Sequence, residues 1–196
     1  RALLKFDLSS IPAAATITAV SLAVTVDNVS TNVSASTYNI HPLTLAFGEG
    51  TSNGGGSGAA AVAPDATWND AMLGTSTWTT PGGDFTSSVS SVLMNTSTGL
   101  QTFPSSASFV ALTQNWLATP ANNFGLIMIG DETNTCTARR FGSKDLGLNM
   151  VIVEFFRGIV LNNDKICAFA NIRSNTIYIQ DEWIHSVNFN EVIIVT

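Results

Sequence analysis

The side chains that could carry acid–base chemistry are few and lie far apart in this sequence. Histidine occurs twice, as His41 and His185. Asp65 and Asp70 flank Trp68 and could in principle act as paired carboxylates. Glycoside hydrolysis needs two carboxyl groups opposed across a cleft, which sequence neighbours in a loop rarely provide. The chain also has no His-Glu-x-x-His motif and no Gly-rich phosphate loop, so we predict that it is not an enzyme.

Aromatic side chains offer a different chemistry, the stacking of an indole ring on a sugar ring. Trp68, Trp78 and Trp116 lie in or near predicted loops, and an exposed indole has a flat apolar face. Arg139 and Arg140 could hold an acidic sugar by paired hydrogen bonds. Two alternatives stay open: the tryptophans pack the interior, or one arginine pairs with a nearby carboxylate to fix a loop. Trp68, Trp78 and both arginines are therefore candidate ligand-binding residues.

Carboxylates also raise the question of a structural calcium ion, which needs several oxygen ligands converging from loops. The candidate ligands are Asp65, Asp70, Asp84, Asp131 and Asp145. None has EF-hand spacing, so the sequence admits a calcium site without defining its ligands, and no other cofactor is expected. Cys136 and Cys167 permit one disulfide, with two free thiols as the alternative, and neither has partners at metal-ligand spacing.

The charge balance excludes one class of partner and favours an extracellular location. Eight Lys and Arg residues against 14 Asp and Glu give a formal net charge of −6, which is the wrong sign for a nucleic-acid binder. Only 11% of the residues are charged, and Ser, Thr, Gly and Ala dominate the first 156. This composition is typical of extracellular bacterial β-proteins. No apolar run approaches 18 residues, so we expect no membrane span.

Short stretches of alternating apolar residues predict an all-β fold that would position these side chains. The predicted strands cover residues 2–8, 16–26, 38–47, 108–112, 125–129 and 149–156. Pro42 suggests an edge strand or a bulge, and a helical turn is expected only around 113–117, ended by Pro120. A Gly-rich segment at 48–67 predicts a long loop that is either functional or a solvated excursion. We therefore expect an antiparallel, jelly-roll-like β-sandwich.

The composition changes near residue 157, and the rest of the chain is rich in isoleucine and poor in glycine and proline. We predict a sandwich domain at 1–156 and a C-terminal β-rich extension at 157–196. The chain begins inside a predicted strand and has two spare strand-like runs at its far end, which suggests strand exchange between subunits. The candidate donor-strand residues are Ile177, Tyr178, Ile179, Ile193 and Val195. A donated strand would fill a neighbour's groove, and such a head-to-tail contact propagates into a filament.

Several segments resemble the DNRLRE domain of secreted bacterial proteins. Residues 1–17 begin Arg-Ala-Leu-Leu-Lys-Phe-Asp-Leu-Ser-Ser-Ile-Pro and match its opening strand and turn. Further matches follow in the same order at 48–52, 65–69, 78–85, 123–125, 137–145 and 151–155. The resemblance implies a jelly-roll sandwich similar to alginate-binding carbohydrate-binding modules, often with structural calcium. Phe47 stands where members often have tryptophan, and the Asn-Thr-Ile-Tyr run that normally comes before the domain follows it here, at 175–178.

These observations lead to one functional prediction and one alternative. The prediction is a structural subunit of an extracellular fibre or surface assembly, in which copies of the chain join head-to-tail by donor-strand complementation. The alternative is a secreted, non-catalytic carbohydrate-binding module whose tail completes its own sandwich, with a polysaccharide as partner.

Overall fold

A computed structural model describes residues 1–52 and 59–142, together with the backbone of five later strands. The strands are β1 (Ala2–Leu4), β2 (Val20–Val29), β3 (Ser36–Pro42), β4 (Asp70–Met72), β5 (Ser76–Thr77), β6 (Ser90–Met94), β7 (Gly99–Phe103), β8 (Leu126–Ile129), β9 (Arg139–Phe141), β10 (Ile152–Phe155), β11 (Ile159–Leu161), β12 (Asp164–Ile166), β13 (Ala168–Asn171) and β14 (Thr176–Ile179). Helix α1 (Ala107–Ala118) and a 3-10 turn (Pro120–Asn122) separate β7 from β8. The predictions made for Asp145, Cys167, Ile193 and Val195 lie outside the described residues.

Two antiparallel sheets form the body of the protein. The first has the strand order β1-β8-β3-β6, and the second has the order β10-β2-β7, with β9 also paired to β2. Three small antiparallel pairs accompany them, namely β4–β5, β11–β12 and β13–β14. The predicted all-β antiparallel sandwich is therefore confirmed. No helix in the described residues is long and apolar enough to cross a membrane.

The main core forms where the apolar faces of the two sheets meet. In β2 the alternate residues Val20, Leu22, Val24 and Val26 are each at most 1% exposed, as the alternation predicts. Ile40 of β3, which is fully buried, belongs to the same cluster. Burial of each such side chain contributes roughly 1.5–3 kcal/mol. The sandwich therefore rests on the alternating pattern of its strands.

A second, smaller core covers the opposite face of the first sheet. Its buried members are Leu43, Ala71, Trp78 and Ile127. Ile127 of β8 points away from the main core because its neighbours Leu126 and Met128 face into it. The long excursion between β3 and β6 thus crosses the outside of the first sheet and buries apolar residues against it. This excursion carries the tryptophans of interest.

Helix α1 corrects the prediction of a strand at 108–112. The Ser106 hydroxyl accepts a hydrogen bond from the Phe109 N–H at 3.0 Å and so caps the first turn. Phe109, Thr113, Trp116 and Leu117 are buried on one face, at spacings of four, three and one. The expected turn at 113–117 is the second half of this helix.

The position of β3 corrects the inference drawn from Pro42. β3 lies between β8 and β6, and Pro42 is its last residue, opposite Leu126. Beyond Pro42 the regular strand ends, and pairing continues only as an isolated bridge between Leu43 and Phe85. The edges of the first sheet are β1 and β6. β6 and β7 were not predicted, since their sequences, Ser-Ser-Val-Leu-Met and Gly-Leu-Gln-Thr-Phe, mix hydroxyl and apolar residues without a clear period.

Candidate functional site

Trp68 lies at the tip of a tight turn that the sequence itself specifies. The Thr67 hydroxyl donates to the Asp70 carboxylate at 2.8 Å and accepts from the Asp70 N–H at 2.9 Å. The Thr67 N–H also donates to the Asp70 carbonyl at 2.8 Å. Such reciprocal bonds between a threonine and an acidic residue three positions later are a recurrent local motif. They hold Trp68 outward, with 56% of its surface exposed.

Trp78 supports this turn from the protein interior. Its ring is 6% exposed and belongs to the outer core. The indole N–H donates to the Thr67 carbonyl at 3.0 Å, and the Trp78 N–H donates to the Asn69 carbonyl at 3.0 Å. The two tryptophans therefore have different roles, because Trp78 is buried and anchors the turn that presents Trp68.

A glycine turn closes on the other side of Trp68. The Gly82 N–H donates to the Trp68 carbonyl at 2.6 Å, and Gly82 has a φ of +94°. Asp84 stabilises the same turn, because its carboxylate accepts from the N–H groups of Thr79 at 2.8 Å and Thr80 at 2.9 Å. These bonds, that from Thr79 foremost, lower the pKa of Asp84.

Arg1 stacks on the Trp68 indole, with its guanidinium carbon 4.8 Å from the ring centroid. Two of its nitrogens donate to the two carboxylate oxygens of Glu132, each at 2.7 Å, and the third donates to the Gly82 carbonyl at 2.8 Å. The hydrogen bonds from Arg1 lower the pKa of Glu132 and those to Glu132 raise the pKa of Arg1. The guanidinium is thus fixed against one part of the indole while the rest stays open.

Phe85 and His41 continue the row on the far side of Arg1. The Phe85 ring lies 5.8 Å from the guanidinium carbon and is 37% exposed. His41 packs on it with ring centroids 4.9 Å apart, and His41 Nδ1 lies 2.8 Å from the Thr86 carbonyl oxygen. We call Trp68, Arg1, Phe85 and His41 the aromatic row. It forms a surface strip of flat groups, of which Trp68 is the most exposed.

Arg139 is committed to the backbone rather than to a ligand. Its terminal nitrogens donate to the carbonyls of Thr137, Ala138, Ser34 and Asn95, at 2.9, 3.2, 2.7 and 3.0 Å. Its Nε is enclosed and has no hydrogen-bond partner. Arg139 therefore ties the start of β9 to two neighbouring loops.

Arg140 forms an ion pair with Asp27 of β2, in which Nε and the carboxylate oxygen are 2.9 Å apart. The sequence left open a loop-fixing pair with Asp131, Glu132 or Asp145, and the partner is none of these. Both arginines belong to β9 in the second sheet, whereas Trp78 belongs to the small core on the outer face of the first sheet. The structure does not bring the four candidate ligand residues into one site. Trp116, the third candidate tryptophan, is 4% exposed in helix α1.

The candidate calcium ligands in the described residues serve separate turns. Asp65 is 5% exposed and accepts from the N–H groups of Thr51 at 3.0 Å and Val62 at 2.7 Å. Hydrogen bonds from Ser52 first, then from Val62, lower its pKa. The described residues contain no group of three or more His, Cys, Asp or Glu side chains that could hold a metal ion.

Asp131 organises another turn by accepting from Thr133 and Asn134, and these bonds, led by the Asn134 side chain, strongly lower its pKa. The same loop carries Cys136, which is exposed and has a positive φ of 61°. Its predicted disulfide partner, Cys167, lies outside the described residues.

An open groove of about 830 Å³ runs along the chain that follows β1. Its apolar lining comprises Phe6, Leu8, Ile11, Trp116, Leu117 and Pro120. β1 itself pairs only with β8 among the described strands. Of the candidate donor residues, Ile177, Tyr178 and Ile179 lie in β14, whose described partner is β13.

The sequence did not identify Arg1, Glu132 or Phe85 as members of a site. Arg1 and Glu132 are 131 positions apart, so only the pairing of β1 with β8 brings them together. A usable signal was the Thr67-x-x-Asp70 spacing around Trp68, which indicates a rigid turn rather than a loose loop. Comparison of this chain with protein-family models, with curated proteins and with solved structures found no match.

Proposed function

We propose that this protein is a non-catalytic carbohydrate-binding module that holds a sugar ring against the exposed indole of Trp68. One observation carries this proposal: a tryptophan with 56% of its surface exposed is held in place from three sides. An indole that is held at the surface in this way offers a flat apolar face on which a ligand can stack. A pyranose is such a ligand, because its axial C–H groups form an apolar face that matches a flat ring.

The support beneath Trp68 makes the binding surface rigid before any ligand arrives. The turn at 67–70, the Trp78 indole and the Gly82 N–H all fix the Trp68 backbone. A preorganised anchor loses little conformational entropy on binding, which favours affinity. The resemblance of residues 1–156 to DNRLRE domains also supports sugar binding, because it implies a fold similar to carbohydrate-binding modules. We further propose that the protein is secreted, as its composition suggests.

The roles of the nearby carboxylates favour binding over hydrolysis. Asp65 and Asp70, which flank Trp68 in sequence, accept hydrogen bonds from backbone and hydroxyl groups of their own turns. Glu132 is engaged in two bonds with Arg1. A general acid would need a free proton at the sugar oxygen, so we assign these groups to structure.

Affinity electrophoresis through gels that contain soluble polysaccharides tests the proposal directly. We expect at least one polysaccharide to retard the wild-type chain, and Trp68→Ala to weaken that binding about 30-fold, as loss of an aromatic anchor does. Leu100→Ala is the matched control, because Leu100 is 55% exposed and lies on β7 of the other sheet. Equal retardation of wild type and Trp68→Ala by every bound polysaccharide would contradict the proposed site.

We infer assembly by strand exchange as a second candidate function, because β1 is an edge strand beside an apolar groove. An unpaired strand edge accepts a further strand by backbone hydrogen bonds. The groove lined by Phe6, Leu8 and Ile11 would bury alternate apolar side chains of such a strand. Ile177 and Ile179 stay the predicted donors, together with Ile193 and Val195.

Negative-stain electron microscopy of the full chain beside a chain that ends at Ala170 tests this second function. Donor-strand assembly predicts filaments from the full chain and single particles after deletion. A variant with Leu93→Ala, which removes an exposed leucine of β6, controls for loss of a hydrophobic surface residue. Single particles from the full chain at all concentrations would refute assembly.

A further inference from the structure

We propose that the aromatic row selects neutral polysaccharides and rejects acidic ones such as uronate polymers. This inference rests on the proposed function and specifies the class of sugar that the Trp68 site takes. It runs against the alginate-like ligand that the sequence resemblance implies. The argument is that no described Lys or Arg side chain at Trp68 offers a free pair of donors for a carboxylate.

Arg1 is the cation that touches Trp68, and three of its five guanidinium N–H donors are engaged within the protein. All three guanidinium nitrogens donate, two to Glu132 at 2.7 Å and one to the Gly82 carbonyl at 2.8 Å. Recognition of a ligand carboxylate by arginine uses the same planar pair of donors. An acidic sugar that takes this Nε–Nη2 pair would have to displace Glu132, which leaves that carboxylate unpaired beside the ligand.

The other described Lys and Arg side chains are engaged in other contacts, and Arg139 lines a cavity of about 210 Å³ together with Arg1 and Glu132. Arg139 donates to four backbone carbonyls and its Nε is enclosed. Arg140 pairs with Asp27 in the second sheet. Lys5 lines the groove that follows β1, and four residues of extended chain place it about 13 Å from Arg1. Among the described residues, no second Lys or Arg side chain thus stacks on a ring of the aromatic row.

One carboxylate, that of Glu132, contacts the row, and a second, that of Asp84, belongs to the adjoining glycine turn. The Glu132 side chain remains 45% exposed while it holds Arg1. Asp84 lies two residues from Gly82, which contacts Trp68, and its two backbone hydrogen bonds hold it in the charged form. The whole chain carries a formal charge of −6. A polyanion would meet repulsion at the site and at long range.

A neutral pyranose fits these surroundings without any rearrangement. Its apolar face covers the open part of the indole, and its hydroxyl groups can donate to the carboxylates of Glu132 and Asp84 and to the backbone carbonyls around them. A hydroxyl donor matches an acceptor-rich rim, whereas a ligand carboxylate can only accept. The chemistry of the rim therefore favours uncharged sugars with equatorial hydroxyl groups around a flat ring.

The test compares neutral and acidic soluble polymers on the intact chain by affinity electrophoresis at one ionic strength. Hydroxyethyl cellulose and glucomannan are the neutral probes, and alginate and polygalacturonate are the acidic ones. We expect neutral polymers to retard the wild type at least about tenfold more strongly than acidic ones. Glu132→Gln removes one negative charge and weakens the hold on Arg1, so in this variant the ratio of retardation by polygalacturonate to retardation by the neutral polymer should rise.

Each outcome decides a separate point. Retardation by alginate that Trp68→Ala abolishes would overturn the neutral selectivity and leave the carbohydrate-binding function intact. Retardation by no polymer of either kind would overturn the proposed function, and the selectivity with it. If a folded Glu132→Gln variant, checked by its melting temperature, shows no rise in this ratio for polygalacturonate, the argument from the Arg1–Glu132 pair is wrong.

Discussion

Gly82→Ala is the substitution that most directly tests how the Trp68 site is held. Gly82 is buried with a φ of +94°, and a Cβ at this position would lie 2.5 Å from Arg1 Nη1 and 2.8 Å from Trp68 Cη2. Both distances are shorter than real contacts of a Cβ atom. The methyl group must therefore push away Trp68 and Arg1, the first two members of the aromatic row.

The cost of this substitution has two parts that a control can separate. A positive φ costs an L-residue about 1–2 kcal/mol, which corresponds to a fall in melting temperature of about 2–8 °C for a chain of this size. Gly74→Ala carries the same backbone strain, because Gly74 has a φ of +78°, but no atom lies within 4 Å of its Cβ position. Gly74→Ala should lose stability only, while Gly82→Ala should also lose the site.

The measurements are thermal unfolding followed by circular dichroism and affinity electrophoresis with the neutral polymer that binds best. We expect both variants to melt a few degrees below the wild type. Only Gly82→Ala should bind at least about tenfold more weakly, since displacement of an aromatic anchor removes most of its contribution. If the two variants bind equally well, the contacts of Gly82 with Arg1 and Trp68 do not organise a binding surface and the reasoning fails.

Three further predictions follow from contacts described above. Trp78→Phe removes the indole N–H bond to the part-buried Thr67 carbonyl, so urea unfolding should show a loss of about 1 kcal/mol, together with weaker sugar binding. Unchanged binding would mean that Trp78 does not position the turn. Arg1 lowers the pKa of Glu132 in the folded state, so the ion pair should make the wild type more stable than Glu132→Gln. This difference in the free energy of unfolding should be complete above the unfolded pKa of about 4.3 and disappear as the pH falls through the lower folded value. Urea titrations across this pH range measure the difference, and a difference that does not change with pH would refute the prediction. Leu22→Ala should cost about 2–5 kcal/mol because Leu22 is fully buried, whereas Leu100→Ala at the exposed surface should change stability by less than about 0.5 kcal/mol.

Regular alternation was the part of the sequence that predicted structure well. Val20, Leu22, Val24 and Val26 face the core as their spacing requires, because a strand turns every second side chain to the same side. β6 and β7 lack that pattern: Leu93 and Leu100 are exposed while serines and threonines share their strands. Pairing with β3 and β2 makes them strands, and such long-range pairing leaves no periodic trace in the local sequence.

Helix α1 shows that an N-cap and helical spacing can outweigh the strand propensity of a short apolar segment. Residues 108–112 contain Phe and Val and look like a short strand by composition. The Ser106 cap and the spacing of Phe109, Thr113 and Trp116 carried the helical information. The cap was the decisive feature, because it satisfies an N–H group that a helix end otherwise leaves without a partner.

The sequence identified the tryptophans of the site but not their exposure or their charged neighbours. Trp68 and Trp78 could be selected as candidates by residue type, but the sequence could not tell which one is exposed. That depends on which side of the excursion lies against Ile127 on the outer face of the first sheet. Arg1 and Glu132 were missed because their meeting requires the register of β1 on β8, a relationship between distant segments that no local pattern contains.

The Asp65 carboxylate has a consequence for redesign of this protein. It binds the N–H groups of Thr51 and Val62 at once, so both ends of the stretch between them are fastened to one side chain. Residues inserted between these two anchors would add little closure entropy, since that entropy grows only slowly with length. The stretch is therefore a natural place to graft a foreign peptide, with the sandwich serving as a display scaffold and Asp65 as its fixed base.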